Sequence, residues 1–260
     1  MITNTQLIHD CAESLLNAER SCVSILRLSD TIYHLDETAA YAIQAQKLSL
    51  RGSRQVGFKL GYTSAAMRAQ MNITHPNYGV LTEDLRGSEE SGCIKIQELI
   101  HPLVEPEIAL LVGKDITGDG HNRSSIFQSV DAVLPALEIV DTRYHDYSFK
   151  AVDNISDNSS SARFITGSPR SLRSIQDLRL LGTLLWSEGK TLDHGIGANA
   201  LGDPLLALAW LANFLAMSGK IIHAGSIILT GGLTRAHPAK AGQTFVGEFA
   251  ELGAVKIHFQ

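Results

Sequence analysis

The stretch HPLVEPEIALLVG, residues 101–113, decides how this chain is read. Its length and apolar content suit a strand, and on a strand side chains two apart leave the same face. Glu105 and Glu107 therefore project side by side. A second apolar run, VLPALEIVDTR at 133–143, carries one acid, Glu138, among Leu134, Ala136, Leu137, Ile139 and Val140. Carboxylates near an apolar core lose hydration and repel one another, so the group needs a compensating cation. An all-oxygen set of three acids suits a hard divalent ion, Mg2+ or Mn2+, with positions open for water or substrate. The alternative is a wet face. Pro106 favours an edge strand or a bulge, where Glu105 and Glu107 would meet solvent.

Outward from these runs the pattern is α+β. Residues 3–28 read as a helix with Leu7, Cys11, Leu15 and Leu16 on one face. A second helix spans Asp36 to Leu50, with Asp36 or Thr38 as its N-cap. Val56, Phe58 and Leu60 then alternate as a strand, with Gly57 and Gly61 on either side of Lys59, and a short helix is expected from Ser64 to about Met71. Beyond Pro76 come short strand-like runs, with hairpin turns at SEGKT and FAELGAV, interrupted by one apolar helix from Asp203 to Met217. No regular βαβ alternation occurs, which argues against a doubly wound parallel sheet. The expected organisation is an N-terminal helical or α+β portion, residues 1–75, followed by a rolled, mostly antiparallel β core, residues 76–260. The two can count as one domain.

Composition excludes several classes. A net charge of -5, with no Lys/Arg stripe, argues against nucleic-acid binding. Three scattered cysteines without a C-x-x-C pair read as reduced thiols in a cytoplasmic protein. No secretory pattern opens the sequence, and the longest apolar run falls short of the ~20 residues of a membrane span. DITGDGHN begins like a calcium loop but has Ile126 where a bidentate Glu is required. Zinc-ligand spacings, a G-x-S-x-G elbow and a G-x-G-x-x-G fingerprint are all missing.

Four segments together resemble one family: GFKLGYTSAAM (57–67) with NYGVL (77–81); HPLVEPEIALLVG; LPALEIVDTRYHDYSFKAVDNISDNSSSARFITG (134–167); and GDPLLALAWLANFLA (202–216) with ILTGGLTRAHPAKAGQTF (228–245). The likeness is to the 4-oxalocrotonate decarboxylase and 2-hydroxypentadienoate hydratase family of the fumarylacetoacetase superfamily. It covers nearly all of the chain beyond about residue 35. The resemblance implies the superfamily's mixed β roll, with Glu105, Glu107 and Glu138 as ligands of Mg2+ or Mn2+ and Lys59 facing the substrate. Ser161, Arg163 and Thr234 are secondary candidates for gripping carboxylates. Arg163 suits a bidentate contact, but a salt bridge on a strand face is its equal alternative. The chain departs from the family pattern at Asn77, where an acid is usual, and that favours decarboxylation over water addition.

The implied reaction is metal-dependent decarboxylation of 2-oxohex-3-enedioate to 2-hydroxypenta-2,4-dienoate in aromatic meta-cleavage catabolism. Lys59 would hold the substrate's oxygen or its anionic end and relay a proton if burial lowers its pKa, with a Schiff base as a rival role. The rival functions are hydration of the dienoate and hydrolytic cleavage of an acylpyruvate by His34 with Asp36 or Glu37. A third is a metal-binding partner subunit without turnover. Expected partners are a small 2-oxo acid, further copies of the chain, and a hydratase homologue.

Overall fold

The two acid-bearing runs become neighbouring strands. The computed structural model describes residues 5–32, 34–65, 68–69, 73–87 and 92–260. Among them the helices are α1 (Thr5–Ser21), α2 (Leu28–Thr31), α3 (Glu37–Arg51), α4 (Arg123–Ser129), α5 (Ala151–Ser156) and α6 (Pro204–Ala216). The strands are β1 (Gln55–Gly61), β2 (Asn77–Thr82), β3 (Cys93–Ile94), β4 (Leu103–Val112), β5 (Val130–Val140), β6 (Ser161–Thr166) and β7 (Arg170–Ser171). They continue with β8 (Gly182–Ser187), β9 (Lys190–Ile196), β10 (Ile227–Leu229), β11 (His237–Pro238), β12 (Thr244–Phe249) and β13 (Gly253–Phe259).

An eight-stranded sheet runs β2-β1-β10-β4-β5-β6, with β11 beside β4 and β7 beside β5; a five-stranded sheet runs β3-β13-β12-β8-β9. Only β1 with β10 and β3 with β13 pair in parallel, so the expected mixed, mostly antiparallel α+β core is what forms. The hairpins at SEGKT and FAELGAV form as read, joining β8 to β9 and β12 to β13. Asp36 caps α3 by accepting from the Ala39 N–H at 2.8 Å, and Asp203 caps α6 by accepting from Leu205. The first expected helix ends seven residues early, at Ser21. Helix α4, not foreseen, is nucleated by a capping box between Asn122 and Ser125. The helix expected over 64–71 lies largely outside the described residues.

Alternation divides each central strand between two environments. Phe58, Leu60, Ile108, Leu110, Leu137 and Ile139 face the main core, where Phe245, Phe249, Ile257 and the buried side of α6 meet them. Each such buried side chain contributes roughly 1.5–3 kcal/mol. The opposite face carries a smaller apolar cluster of Ala109, Leu134, Ala136, Phe164 and Leu229. That face also carries the acids, because Glu105 pairs with Glu138 and Glu107 with Ala136. The N-terminal helices close over one end through Leu15, Leu28, Ile43 and Tyr144. No described helix is long and apolar enough to cross a membrane.

Candidate metal centre

Pro106 does not place the acids on an edge. Strand β4 is central, and Pro106 sits between the stretches of β4 paired with β10 and with β11. There the chain after β10 crosses: the Leu233 N–H donates to the Pro106 carbonyl at 2.9 Å. The position therefore needs an acceptor but no donor, and proline supplies that. Glu107 and Glu138 are fully buried, so the wet-face alternative is excluded for both, while Glu105 keeps part of its surface open to a cavity.

Each of the three carboxylates offers an oxygen, and these atoms lie within 4.8 Å of one another. Glu107 Oε2 accepts the Gly231 N–H at 2.7 Å. Glu107 Oε1 and Glu138 Oε1 are buried without a hydrogen-bond partner. Lys59 lies on the same sheet face, since it pairs with Leu229, which pairs with Ala109. Its Nζ is 3.1 Å from Glu138 Oε2 and donates to the Ser159 carbonyl at 3.1 Å.

Burial pushes the Glu105 carboxyl up to about 7, with Lys59 opposing and Glu138 adding to the rise. Glu107 is driven well above the ordinary carboxylate range by burial and by Glu138, and Glu138 is raised by burial against the pull of Lys59. Burial alone would lower the Lys59 ammonium, but Glu138, Glu105 and Glu107 outweigh it and hold the group above its usual value. With no cation beside them, the acids therefore hold Lys59 charged. With all three ionised, the acids would outnumber the one lysine by two charges in a buried place, and their raised pKa values reflect the cost of that without a cation. Two bare oxygens point to where a dication fits, and an all-carboxylate donor set suits a hard one.

The cavity before the acids measures about 570 Å3 and is lined by Lys59, Tyr62, Glu105, Tyr147, Asn154 and Ser159, among others. Hollows of about 700 and 830 Å3 elsewhere contain no such acid group, so chemistry rather than size picks the site. Leu103, Val140 and Phe149 form an apolar wall. The glycines beside Lys59 serve packing rather than ligand approach: a Cβ on Gly61 would come within 2.3 Å of Asn77 Oδ1 and 2.6 Å of Ser159 Oγ.

Of the secondary candidates, Thr234 lines the cavity, although its hydroxyl donates to the Arg235 carbonyl. Arg163 does not reach it. It pairs with Ile139, on the main-core side of β5, and its guanidinium lies 3.3 Å from Glu98 in a separate hollow, so the salt-bridge alternative is the one realised. Ser161 is buried but does not line the cavity; Ser159 and Ser160 do. Sequence reasoning missed Tyr62, Tyr147, Asn154 and Asn199, which stand on loops or short helices without periodic signal. It also missed the direct role of Gly231 and Gly232, although the TGGLT segment that holds them stood out.

No family model matches the sequence. Full-length relatives do. The chain is 35% identical over 259 residues to 4-oxalocrotonate decarboxylase of Pseudomonas putida, covering 98% of each. It is 37% identical over 257 residues to 2-keto-4-pentenoate hydratase of Paraburkholderia xenovorans (strain LB400), covering 96% of this chain and 94% of the relative. Among solved structures, 4-oxalocrotonate decarboxylase from Pseudomonas putida G7, complexed with magnesium and adipate, superposes with a TM-score of 0.94 at 34% identity, covering 100% of this chain and 99% of that one. The mixed β roll is the fumarylacetoacetase type of fold, shared with a putative fumarylacetoacetate hydrolase family protein from Yersinia pestis CO92 at a TM-score of 0.60 and 12% identity, covering 80% of this chain and 94% of that one. Within it, the chain belongs to the 4-oxalocrotonate decarboxylase and 2-keto-4-pentenoate hydratase family.

Proposed function

We propose that this protein is a Mg2+- or Mn2+-dependent decarboxylase of 2-oxohex-3-enedioate, forming 2-hydroxypenta-2,4-dienoate and CO2. The observation that carries the reading is the buried excess of negative charge at Glu105, Glu107 and Glu138, with two carboxylate oxygens left without a partner. These three residues would hold the ion. Once bound, the ion supplies a Lewis acid for the keto group of a 2-oxo acid.

The chain's own residues do the rest. Loss of CO2 breaks the bond to the distal carboxylate and sends its electron pair through the conjugated double bond to the keto oxygen, which then takes a proton. Lys59, fixed by Glu138 and Ser159, is the donor at hand to stabilise and protonate that oxygen. A Schiff base needs a neutral amine, which the ion pair with Glu138 opposes. The apolar wall of Leu103, Val140 and Phe149 keeps water from the forming dienol and favours release of neutral CO2.

Hydration of the dienoate is the alternative, since hydratase relatives match equally well. Asn77 speaks against it. Its amide donates to Asn154 Oδ1 at 2.8 Å and its carbonyl accepts from Ser159 Oγ at 3.0 Å, so no carboxylate stands there to activate water. Self-association and pairing with a hydratase homologue belong to the same proposal, as does a cytoplasmic location. Incubation with 2-oxohex-3-enedioate and Mg2+, following CO2 and the dienol with a chelator control, tests it. CO2 release that the chelator abolishes is expected. Water addition without CO2 would establish the hydratase, and no turnover with copurification of a hydratase would make the chain a partner subunit.

A further inference from the structure

A second cation stands at the mouth of the same cavity, unused in the reaction above. Among the described lining residues, the only lysine and arginine are Lys59 and Arg235. Lys59 is committed to Glu138 and the Ser159 carbonyl. Arg235 lies on the loop whose Gly232 passes so close to Glu105 that a Cβ there would sit 3.0 Å from the carboxylate. The loop thus runs from the inner wall to the rim, where the Arg235 side chain is 83% exposed.

Arg235 is held there lightly. Its Nε donates to Asp193 Oδ2 at 3.2 Å, and His237 Nε2 lies 3.3 Å from the same oxygen. The contact uses only Nε, which leaves the terminal guanidinium nitrogens for another acceptor. Asp193 lines the cavity too and would repel an incoming anion on its own.

These placements bear on which 2-oxo acid the cavity takes. The carboxylate and keto oxygen at one end of the substrate are accounted for at the inner acids. A second carboxylate further along the carbon chain cannot rest unpaired against Leu103, Val140 and Phe149. We propose that Arg235 is the specificity residue that receives the distal carboxylate of a dicarboxylate substrate, with Asp193 orienting the guanidinium and tempering its charge. The proposal rests on the decarboxylase reading given above. A light grip suits that chemistry. The distal carboxylate gives up its charge as CO2 departs, so a strong bidentate pair would stabilise the bound state more than the transition state.

Calorimetry in Mg2+ with adipate and hexanoate, which differ only in the second carboxylate, tests the assignment. The wild type is expected to prefer adipate by about tenfold, the order of one charge-assisted contact at a solvent-exposed rim. Arg235→Gln should erase that preference while leaving hexanoate and Mg2+ binding unchanged. Asp193→Asn should widen it, because the guanidinium is then fully available. With 2-oxohex-3-enedioate, Arg235→Gln should raise KM about tenfold and move kcat far less. A preference for adipate that survives in Arg235→Gln would overturn the assignment and leave the metal reading standing. A wild type that binds adipate no better with Mg2+ than with a chelator would overturn both.

Discussion

Lys59 and Glu138 form an ion pair inside the larger sheet, with Nζ 3.1 Å from Oε2 and 4% and 0% of the two side chains exposed. The lysine balances one of three acids, and its own charge is maintained by all three. Lys59→Met keeps the length and removes the charge. Turnover is expected to fall by about 10^2–10^4, the range for a positioned proton donor. The Kd for Mg2+ should stay the same or tighten, because a competing cation has gone. Stopped-flow detection of the dienol and calorimetric titration of Mg2+ separate the two effects. Equal losses in both would reduce Lys59 to a structural role.

Glu107 is fully buried, with only one of its two oxygens bonded. One oxygen accepts from Gly231 and the other has no partner. In the wild type, added Mg2+ should raise the Tm, with a gain of about 2.7 kcal/mol at a hundredfold excess over Kd. Glu107→Gln should lose that response and its CO2 release. In chelator the variant should melt above the wild type, since a crowded, dehydrated carboxyl that resists ionisation is replaced by a neutral amide. A variant whose Tm still climbs with Mg2+ like the wild type would take Glu107 out of the centre.

The acids were legible in the sequence because strand periodicity is local. Two residues apart on β4 means one face, and an acid inside an apolar run is conspicuous wherever the run ends up. What could not be read was register. Glu105 faces Glu138 only because β4 and β5 pair with that offset, and Arg163 faces away only because it aligns with Ile139 rather than Glu138. A shift of one residue would exchange the two faces. Ser161 failed for a related reason: the turn before β6 carries Ser159 and Ser160 into the cavity and sets Ser161 behind it. Asp193 on β9 and Arg235 on the loop after β10 meet across 42 residues of sequence, with no periodic signal to announce the contact.

A buried ion network joins the N-terminal helices to the core. Lys47 bridges Glu19 at 3.2 Å and Asp157 at 3.1 Å, and Arg51 also bonds Glu19. Burial alone would raise the Glu19 carboxyl, but Lys47, Arg143 and Arg51 overcome it and hold the group far below its ordinary 4.5. A carboxyl depressed in the folded state contributes stability above its unfolded value that fades as pH falls toward the folded one. Unfolding free energy from urea titrations should therefore drop steadily below about pH 4.5. Glu19→Gln should be less stable at pH 7 by about 2–4 kcal/mol and show a shallower acid slope. An unchanged slope would place the acid sensitivity elsewhere.

Asp157 links that network to the site. It accepts from Arg143 Nε at 2.5 Å and from the Arg143 backbone N–H at 2.9 Å, as well as from Lys47. The next three residues, Asn158, Ser159 and Ser160, all adopt left-handed backbone, with φ of 57°, 53° and 57°. Such a run costs about 1–2 kcal/mol per residue and persists only if its ends are clamped. Asp157 clamps one end. Within the turn, the Asn158 side chain accepts from the Val80 N–H and donates to its carbonyl. The turn delivers the Ser159 carbonyl to Lys59. Asp157→Asn should therefore lower kcat while Mg2+ affinity holds, because the lysine loses its aim and the acids do not. Removing one buried charge also leaves Arg143 and Lys47 short of a partner, at a cost of about 3–5 kcal/mol, so folding of this variant needs checking by circular dichroism. Asn158→Gly provides the control: it tolerates the left-handed backbone but drops the bracket on Val80. It should cut kcat with a smaller loss of stability. If both variants fold and turn over at the wild-type rate, the strained turn has no part in placing Lys59.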